Sequence, residues 1–175
     1  MKNKKGFTLI ELLVVIAIIG LLSTLAIVSL NTARQRSRDT KRQADIRTLQ
    51  SANELCINEG GSPPNAAGTW DGMLSAACGS GTLGDFLASS SMPEPPGTST
   101  CDVSAADPTG DCYFYCEDGT NYLIGASLME GGDPEGDVDG AETSYAAAAD
   151  CTSNEDVFSV APAIDCDDKF CLGTL

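Results

Sequence analysis

Residues 7–28 form a run of 22 positions with a single charged side chain, Glu11. A run of that length and polarity reaches across the hydrocarbon of a bilayer as one helix. The helical pattern does not stop there. Residues 30–58 contain no proline or glycine, and Leu30, Ala33, Ser37, Ala44, Leu49, Ala52 and Cys56 recur near helical spacing with charged residues between them. Gly60-Gly61-Ser62-Pro63-Pro64 then breaks the pattern. One helix is therefore predicted over about 7–58, on the order of 75–80 Å long at 1.5 Å per residue. Its first half is apolar all round and its second half is amphipathic.

Beyond Pro64 the pattern becomes short and irregular. Residues 83–88 suggest a short helix, and 92–97, with Pro93, Pro95 and Pro96, a loop. Residues 111–117 and 121–128 read as two strands joined through Asp118-Gly119, a hairpin signal between aromatic and β-branched runs. In that reading Cys112, Phe114 and Cys116 share one strand face and Tyr113 and Tyr115 the other. Residues 156–161 form a third, weaker strand candidate. The expected fold is α+β: a long N-terminal helix (about 7–58) packed by its C-terminal half on a small, disulfide-rich antiparallel β-sheet.

Charge divides the chain along the same line. Residues 1–50 hold nine of the ten basic residues and three acids, whereas residues 51–175 hold only Lys169 against 22 acids. Such an acidic domain repels nucleic acid and anionic lipid, so direct nucleic-acid binding is not expected. The basic cluster from Arg34 to Arg47 reads as a solvated helix face, or as a partner for acids of neighbouring copies. Leu, Ile, Val and Phe number 17 among residues 60–175, a small stock for a hydrophobic core.

Eight cysteines make up part of that deficit: Cys56, Cys78, Cys101, Cys112, Cys116, Cys151, Cys166 and Cys171. An even number in a small exported domain is a disulfide framework, and eight cysteines leave about 105 connectivities open. The chain has no histidine. That removes Ser-His and Cys-His pairs and weakens any zinc assignment, and there is neither a phosphate-binding loop nor a dinucleotide fingerprint. No enzymatic activity is expected.

Glu11 does not suit a plain membrane anchor. A carboxylate in hydrocarbon needs a partner, and no Lys or Arg lies within the run. Either Glu11 snorkels to the interface, or a chain cut to begin at Phe7 supplies its α-amino group about one helical turn away. The apolar run is also long for a signal peptide and lacks a clear small-x-small cleavage site.

The stretch Lys4-Lys5-Gly6-Phe7-Thr8-Leu9-Ile10-Glu11, followed by an apolar helix, resembles the processing signature of type IV prepilins and type II secretion pseudopilins. Residues 38–50 and the break at 60–64 are similar to the second helical half of these proteins, so the resemblance covers about residues 1–64. It implies a leader at 1–6, a membrane and filament-core helix at 7–28, an amphipathic half at 29–60 and an acidic extracytoplasmic domain at 61–175. It further implies cleavage between Gly6 and Phe7 by a prepilin peptidase and methylation of the Phe7 amine. Glu11 then neutralises the Phe7 amine of an adjacent subunit during assembly.

The implied function is that of a structural subunit of a type IV pilus-like filament serving attachment, motility or DNA uptake. The alternatives are a pseudopilin of a type II secretion system and a non-polymerising, membrane-anchored binding domain. Implied partners are other copies of the chain, the peptidase and an inner-membrane assembly machinery. The implied location is the cytoplasmic membrane, crossed once with the C-terminus outside, and then the cell surface. No cofactor is required by this reading. The loop bearing Asp133, Glu135, Asp137, Asp139 and Glu142 reads as a solvated acidic loop or as a calcium site; its spacing departs from an EF-hand, and several pseudopilins hold calcium in such a loop.

Overall fold

The computed structural model describes residues 6–65, 70–89, 91–97, 101, 110–117, 119–131, 150–153, 157–158 and 170–174. Helix α1 spans Leu9–Gly60, and within it the chain divides into two units, Met1–Ser37 and Arg38–Leu175. Both ends of α1 lie two residues later than the periodicity predicts. Thr8 occupies the position before the first turn and caps it. At the other end Gly61 adopts φ +79° and donates its N–H to the Ile57 carbonyl at 2.7 Å, the left-handed cap that glycine accepts without strain.

The described part of the first unit is α1 from Leu9 onward, preceded by Gly6, Phe7 and Thr8. Its large apolar side chains, from Phe7 to Leu30, are exposed.

In the second unit α1 buries Asp39, Arg42, Ile46, Leu49, Ala52, Asn53 and Cys56. Leu49, Ala52 and Cys56 are as the sequence pattern expects. Leu30, Ala33, Ser37 and Ala44 are exposed instead. The stripe is completed by Arg42 and Asp39, so the basic cluster is not simply a solvated face. An arginine can lie on the buried stripe because three carboxylates meet it there.

Among the described residues, five strands make the main sheet. They are β3 (Tyr113–Glu117), β4 (Tyr122–Ala126), β5 (Asp150–Ser153), β6 (Val157–Phe158) and β7 (Phe170–Thr174), in the order β6-β5-β3-β4-β7 with every neighbouring pair antiparallel. A separate two-stranded hairpin joins β1 (Ala77–Cys78) to β2 (Gly81–Thr82). Single 3₁₀ turns at Asp71–Ser75 and Leu83–Phe86 flank it; the second replaces the short helix expected at 83–88. The β3–β4 hairpin appears where the Asp-Gly signal placed it, with Gly119 at φ +84°. The expected strand at 156–161 is described only at Val157–Phe158.

The inner face of the sheet meets α1. Tyr113, Tyr115, Tyr122, Ile124, Ala126, Phe170 and Leu172 form one cluster with Ile46, Leu49, Ala52 and Cys56 of the helix and with Trp70, Met73, Leu83, Leu87 and Met92. Three tyrosine hydroxyls on this face reach helical acceptors. Tyr113 donates to Asp45 at 2.8 Å, Tyr122 to Glu54 at 3.2 Å, and Tyr115 to Asn53 at 3.4 Å and to the Pro64 carbonyl at 3.0 Å. Burial and the adjoining carboxylates push the Tyr113 and Tyr122 hydroxyls up, Tyr122 to about 12, so both stay protonated donors across the physiological range.

The opposite face is buried as well: Phe114, Cys116, Leu123 and Cys171 are all fully enclosed. Burial on both faces explains why Tyr113-Phe-Tyr-Cys and Tyr122-Leu-Ile-Gly-Ala read as continuous apolar runs without polar alternation. Gly125 lies directly opposite Phe114, and a Cβ there would come within 2.5 Å of the Phe114 ring.

Disulfides join Cys56 of α1 to Cys78 of β1, and Cys101 to Cys112 just before β3. Cys116 and Cys171 are also disulfide-bonded.

Candidate functional site

Of the residues expected to guide processing and assembly, Gly6 and Phe7 precede α1 and are exposed, Phe7 to 86%. Thr8 and Glu11 form a reciprocal capping box. The Glu11 carboxylate accepts from the Thr8 N–H at 2.8 Å and from the Thr8 hydroxyl at 2.7 Å, while the Glu11 N–H donates to the Thr8 hydroxyl at 3.3 Å. This was legible as Thr-x-x-Glu ahead of an apolar run, a helix-start signature. Attention to the acid's charge alone passes over it. Glu11 thus has a structural task within its own chain, and this bears on how its role is tested.

The apolar segment contains three hydroxyl residues, and each is satisfied within the helix. Between residues 7 and 28, Thr8 donates to the Glu11 carboxylate at 2.7 Å, Ser23 to the Ile19 carbonyl at 2.7 Å and Thr24 to the Leu21 carbonyl at 2.8 Å. No hydroxyl between residues 7 and 28 is left bare, so this stretch can lie in hydrocarbon or against like helices without the cost of an unmatched hydroxyl. α1 has a mean hydropathy of 2.8 in its most apolar window, and none of that window is buried. Length and composition permit a membrane span; a signal sequence passes the same test.

A second constellation gathers around Arg42, whose side chain is wholly buried. Its Nε donates to Asp111 at 3.0 Å and its Nη1 to Asp39 at 2.7 Å, while both terminal nitrogens lie 3.3 Å from Glu130. Arg38 forks onto the same Glu130. Asp39 in turn accepts from the backbone N–H groups of Glu130 at 3.0 Å and Gly131 at 2.8 Å. Burial opposes the Arg42 charge, but the hydrogen bonds and charges of Asp111, Asp39 and Glu130 outweigh it and raise its pKa. The hydrogen bond from Arg38 holds the Glu130 carboxyl below the usual carboxylate range. The arrangement pins the segments at 111 and 128–131 to α1. Its carboxylates are committed to guanidinium groups, which leaves it no evident acid–base or metal chemistry.

Among the described residues, no group of three or more His, Cys, Asp and Glu side chains could hold a metal. The calcium candidates Asp133, Glu135, Asp137, Asp139 and Glu142 lie outside the described residues, as does Cys166.

These features define a chain with an exposed apolar helix start and an acidic, disulfide-linked sheet domain. Comparison with known proteins carries this further. Residues 1–27 match the prokaryotic N-terminal methylation motif. A fimbrial protein of Pseudomonas aeruginosa is 43% identical over 60 residues, 34% of this chain and 39% of that protein. A probable minor fimbrial protein of Dichelobacter nodosus is 42% identical over 60 residues, 34% of this chain and 38% of its own. The type IV wide pilus major component PilA4 of Thermus thermophilus is 60% identical over 40 residues, 23% of this chain and 30% of its own.

The likeness to these fimbrial and pilus proteins covers 23–34% of the chain. The chain spans about two fifths of the length of the first of these relatives, 39%. No solved structure matches it significantly.

Proposed function

We propose that this chain is a structural subunit of a type IV pilus-like extracellular filament, held in the cytoplasmic membrane by residues 7–28 until it polymerises. The supporting observation is the stretch 7–28: a capped helix start whose large apolar side chains are exposed and whose hydroxyls, on Thr8, Ser23 and Thr24, are each satisfied internally. Such a surface is suited to exchanging a bilayer for a bundle of identical helices, because the two surroundings are similarly apolar. In this reading a peptidase cuts between Gly6 and Phe7, the new amine is methylated, and Glu11 neutralises the Phe7 amine of a neighbour. The subunit performs no catalysis.

Intact mass of the protein in filaments sheared from its source cells tests the proposal. A chain beginning at Phe7, with one added methyl and eight cysteine hydrogens missing, is expected. Trimmed protein confined to the membrane and absent from filaments would transfer the assignment to a secretion pseudopilin. An untrimmed membrane protein would leave an anchored binding domain.

Two variants separate the roles of Glu11. Glu11→Gln keeps a side chain able to close the capping box but removes the charge; Glu11→Ala removes both. Both variants are expected to lose their leader yet fail to join filaments. Normal assembly of Glu11→Gln would reduce the role of Glu11 to that of a helix cap.

A further inference from the structure

The strand register decides a question that the cysteine count leaves open. Cys56–Cys78 and Cys101–Cys112 account for four cysteines, and Cys116 and Cys171 are each bonded as well. Within one chain, the partners left to these two are each other, Cys151 and Cys166. A disulfide requires Cα atoms within about 7 Å.

Cys171 lies on β7 opposite Gly125 of β4, and Gly125 lies opposite Phe114 of β3. Two strand spacings therefore separate Cys171 from the strand that carries Cys116, a lateral gap of about 9.6 Å. Cys151 is one strand further away, on β5, at about 14 Å from β7. Neither can bridge to Cys171, whose partner must be Cys166, five residues earlier in the chain.

Cys116 and Cys151 are the opposite case. They are direct register partners on β3 and β5. Antiparallel partners stand about 4.5–5.5 Å apart between Cα atoms, inside the disulfide range, and directly opposed residues share a sheet face.

We propose that Cys116–Cys151 is a cross-strand disulfide and that Cys166–Cys171 completes the set. Formation of each bond removes two protons and two electrons from a pair of thiols. The electrons pass by thiol–disulfide exchange to the disulfide of an oxidoreductase outside the cytoplasm, which leaves as a dithiol. The Cys116–Cys151 bond closes a segment that carries Glu117, Asp118, Glu130, Asp133, Glu135, Asp137, Asp139, Glu142 and Asp150 and has no Lys or Arg. It therefore clamps the most self-repelling stretch of the chain at the centre of the sheet.

The test is a peptide map of the unreduced, full-length protein digested with pepsin at acid pH, where thiol exchange is suppressed. A disulfide-linked pair of peptides containing Cys116 and Cys151, and a second containing Cys166 and Cys171, are expected. Cys116 linked to Cys166 or Cys171, or Cys116 found alkylated as a free thiol, would overturn the proposal.

A second readout counts thiols by alkylation and intact mass after denaturation without reductant. Cys116→Ser is expected to expose one thiol, and Cys116→Ser with Cys151→Ser none. Two thiols from that double variant would equally overturn the pairing. Should the variants fail to accumulate, the peptide map of the unaltered protein still decides.

Discussion

Replacing Arg42 by Met tests whether the buried charge cluster holds the second unit together. Methionine retains much of the apolar stem and removes the guanidinium, so lost packing is a small part of the effect. Arg42 is fully buried and engages Asp39, Asp111 and Glu130. Without it three carboxylates share Arg38 as their nearest cation, and the local charge moves from about −1 to about −2. Asp111 suffers most, since its side chain is only 2% exposed and its Oδ2 has no hydrogen-bond partner among the described residues even in the intact cluster.

Breaking a buried pair by removing one member typically costs about 3–5 kcal/mol. Native domains hold only about 5–15 kcal/mol in total, so the variant should be severely weakened. Urea unfolding of the full-length protein in detergent, with disulfides intact, measures the loss through Trp70. It is the single tryptophan and is buried against the core, with its indole N–H donating to the Pro93 carbonyl at 3.2 Å. Adding Asp111→Asn to the Arg42→Met background should recover part of the loss by neutralising the stranded anion. A loss under about 1 kcal/mol, or no recovery in the double variant, would refute the view that Arg42 is held by compensating charge.

Glu130 and Gly125 give two further tests. The Glu130 carboxyl is depressed in the fold by its hydrogen bond from Arg38, so its contribution to stability is present above its ordinary value of 4.5 and is lost as pH falls through the lower folded value. The melting temperature of Glu130→Gln should therefore lie below that of the unaltered protein at pH 7, with the gap closing below about pH 4.5; a gap that persists unchanged at pH 2 contradicts the assignment. Gly125→Ala should destabilise by about 1–3 kcal/mol in the same urea assay, because the new methyl meets the Phe114 ring and the Phe170 carbonyl. A neutral result would mean that the strands adjust more freely than the register suggests.

The long helix and the β3–β4 hairpin were legible in the sequence because their signals are local. Twenty-two apolar positions, a Gly-Gly-Ser-Pro-Pro stop and an Asp-Gly turn each act within a few residues. Strands β5 and β7 were not. Asp150-Cys-Thr-Ser and Phe170-Cys-Leu-Gly-Thr are too short and polar to stand out, and they become strands through their ladders with β3 and β4.

The buried helix stripe was half legible. Periodicity found Leu49, Ala52 and Cys56 but favoured Ala44 over Arg42, because apolar scoring ranks an arginine as exposed whatever lies opposite. Asp39 is three residues away, but the other two acids that meet Arg42 lie 69 and 88 residues away, a distance no sequence window spans. Thr8 was overlooked for the reverse reason: its capping motif is local, but the charge of Glu11 drew the attention.

The placement of the cations has a consequence for resistance to proteolysis. Trypsin-like proteases cut after lysine and arginine, and from Thr48 to the C-terminus the chain offers only Lys169. Just before that stretch, Arg38 and Arg42 are seated on carboxylates, and Arg47 lies over the Phe170 ring at 5.7 Å. All three are also held in unbroken helix, which a protease cleft cannot bind extended. With six of its ten basic residues in α1 and only Lys169 beyond it, the protein carries an acidic domain that such enzymes have almost no place to attack.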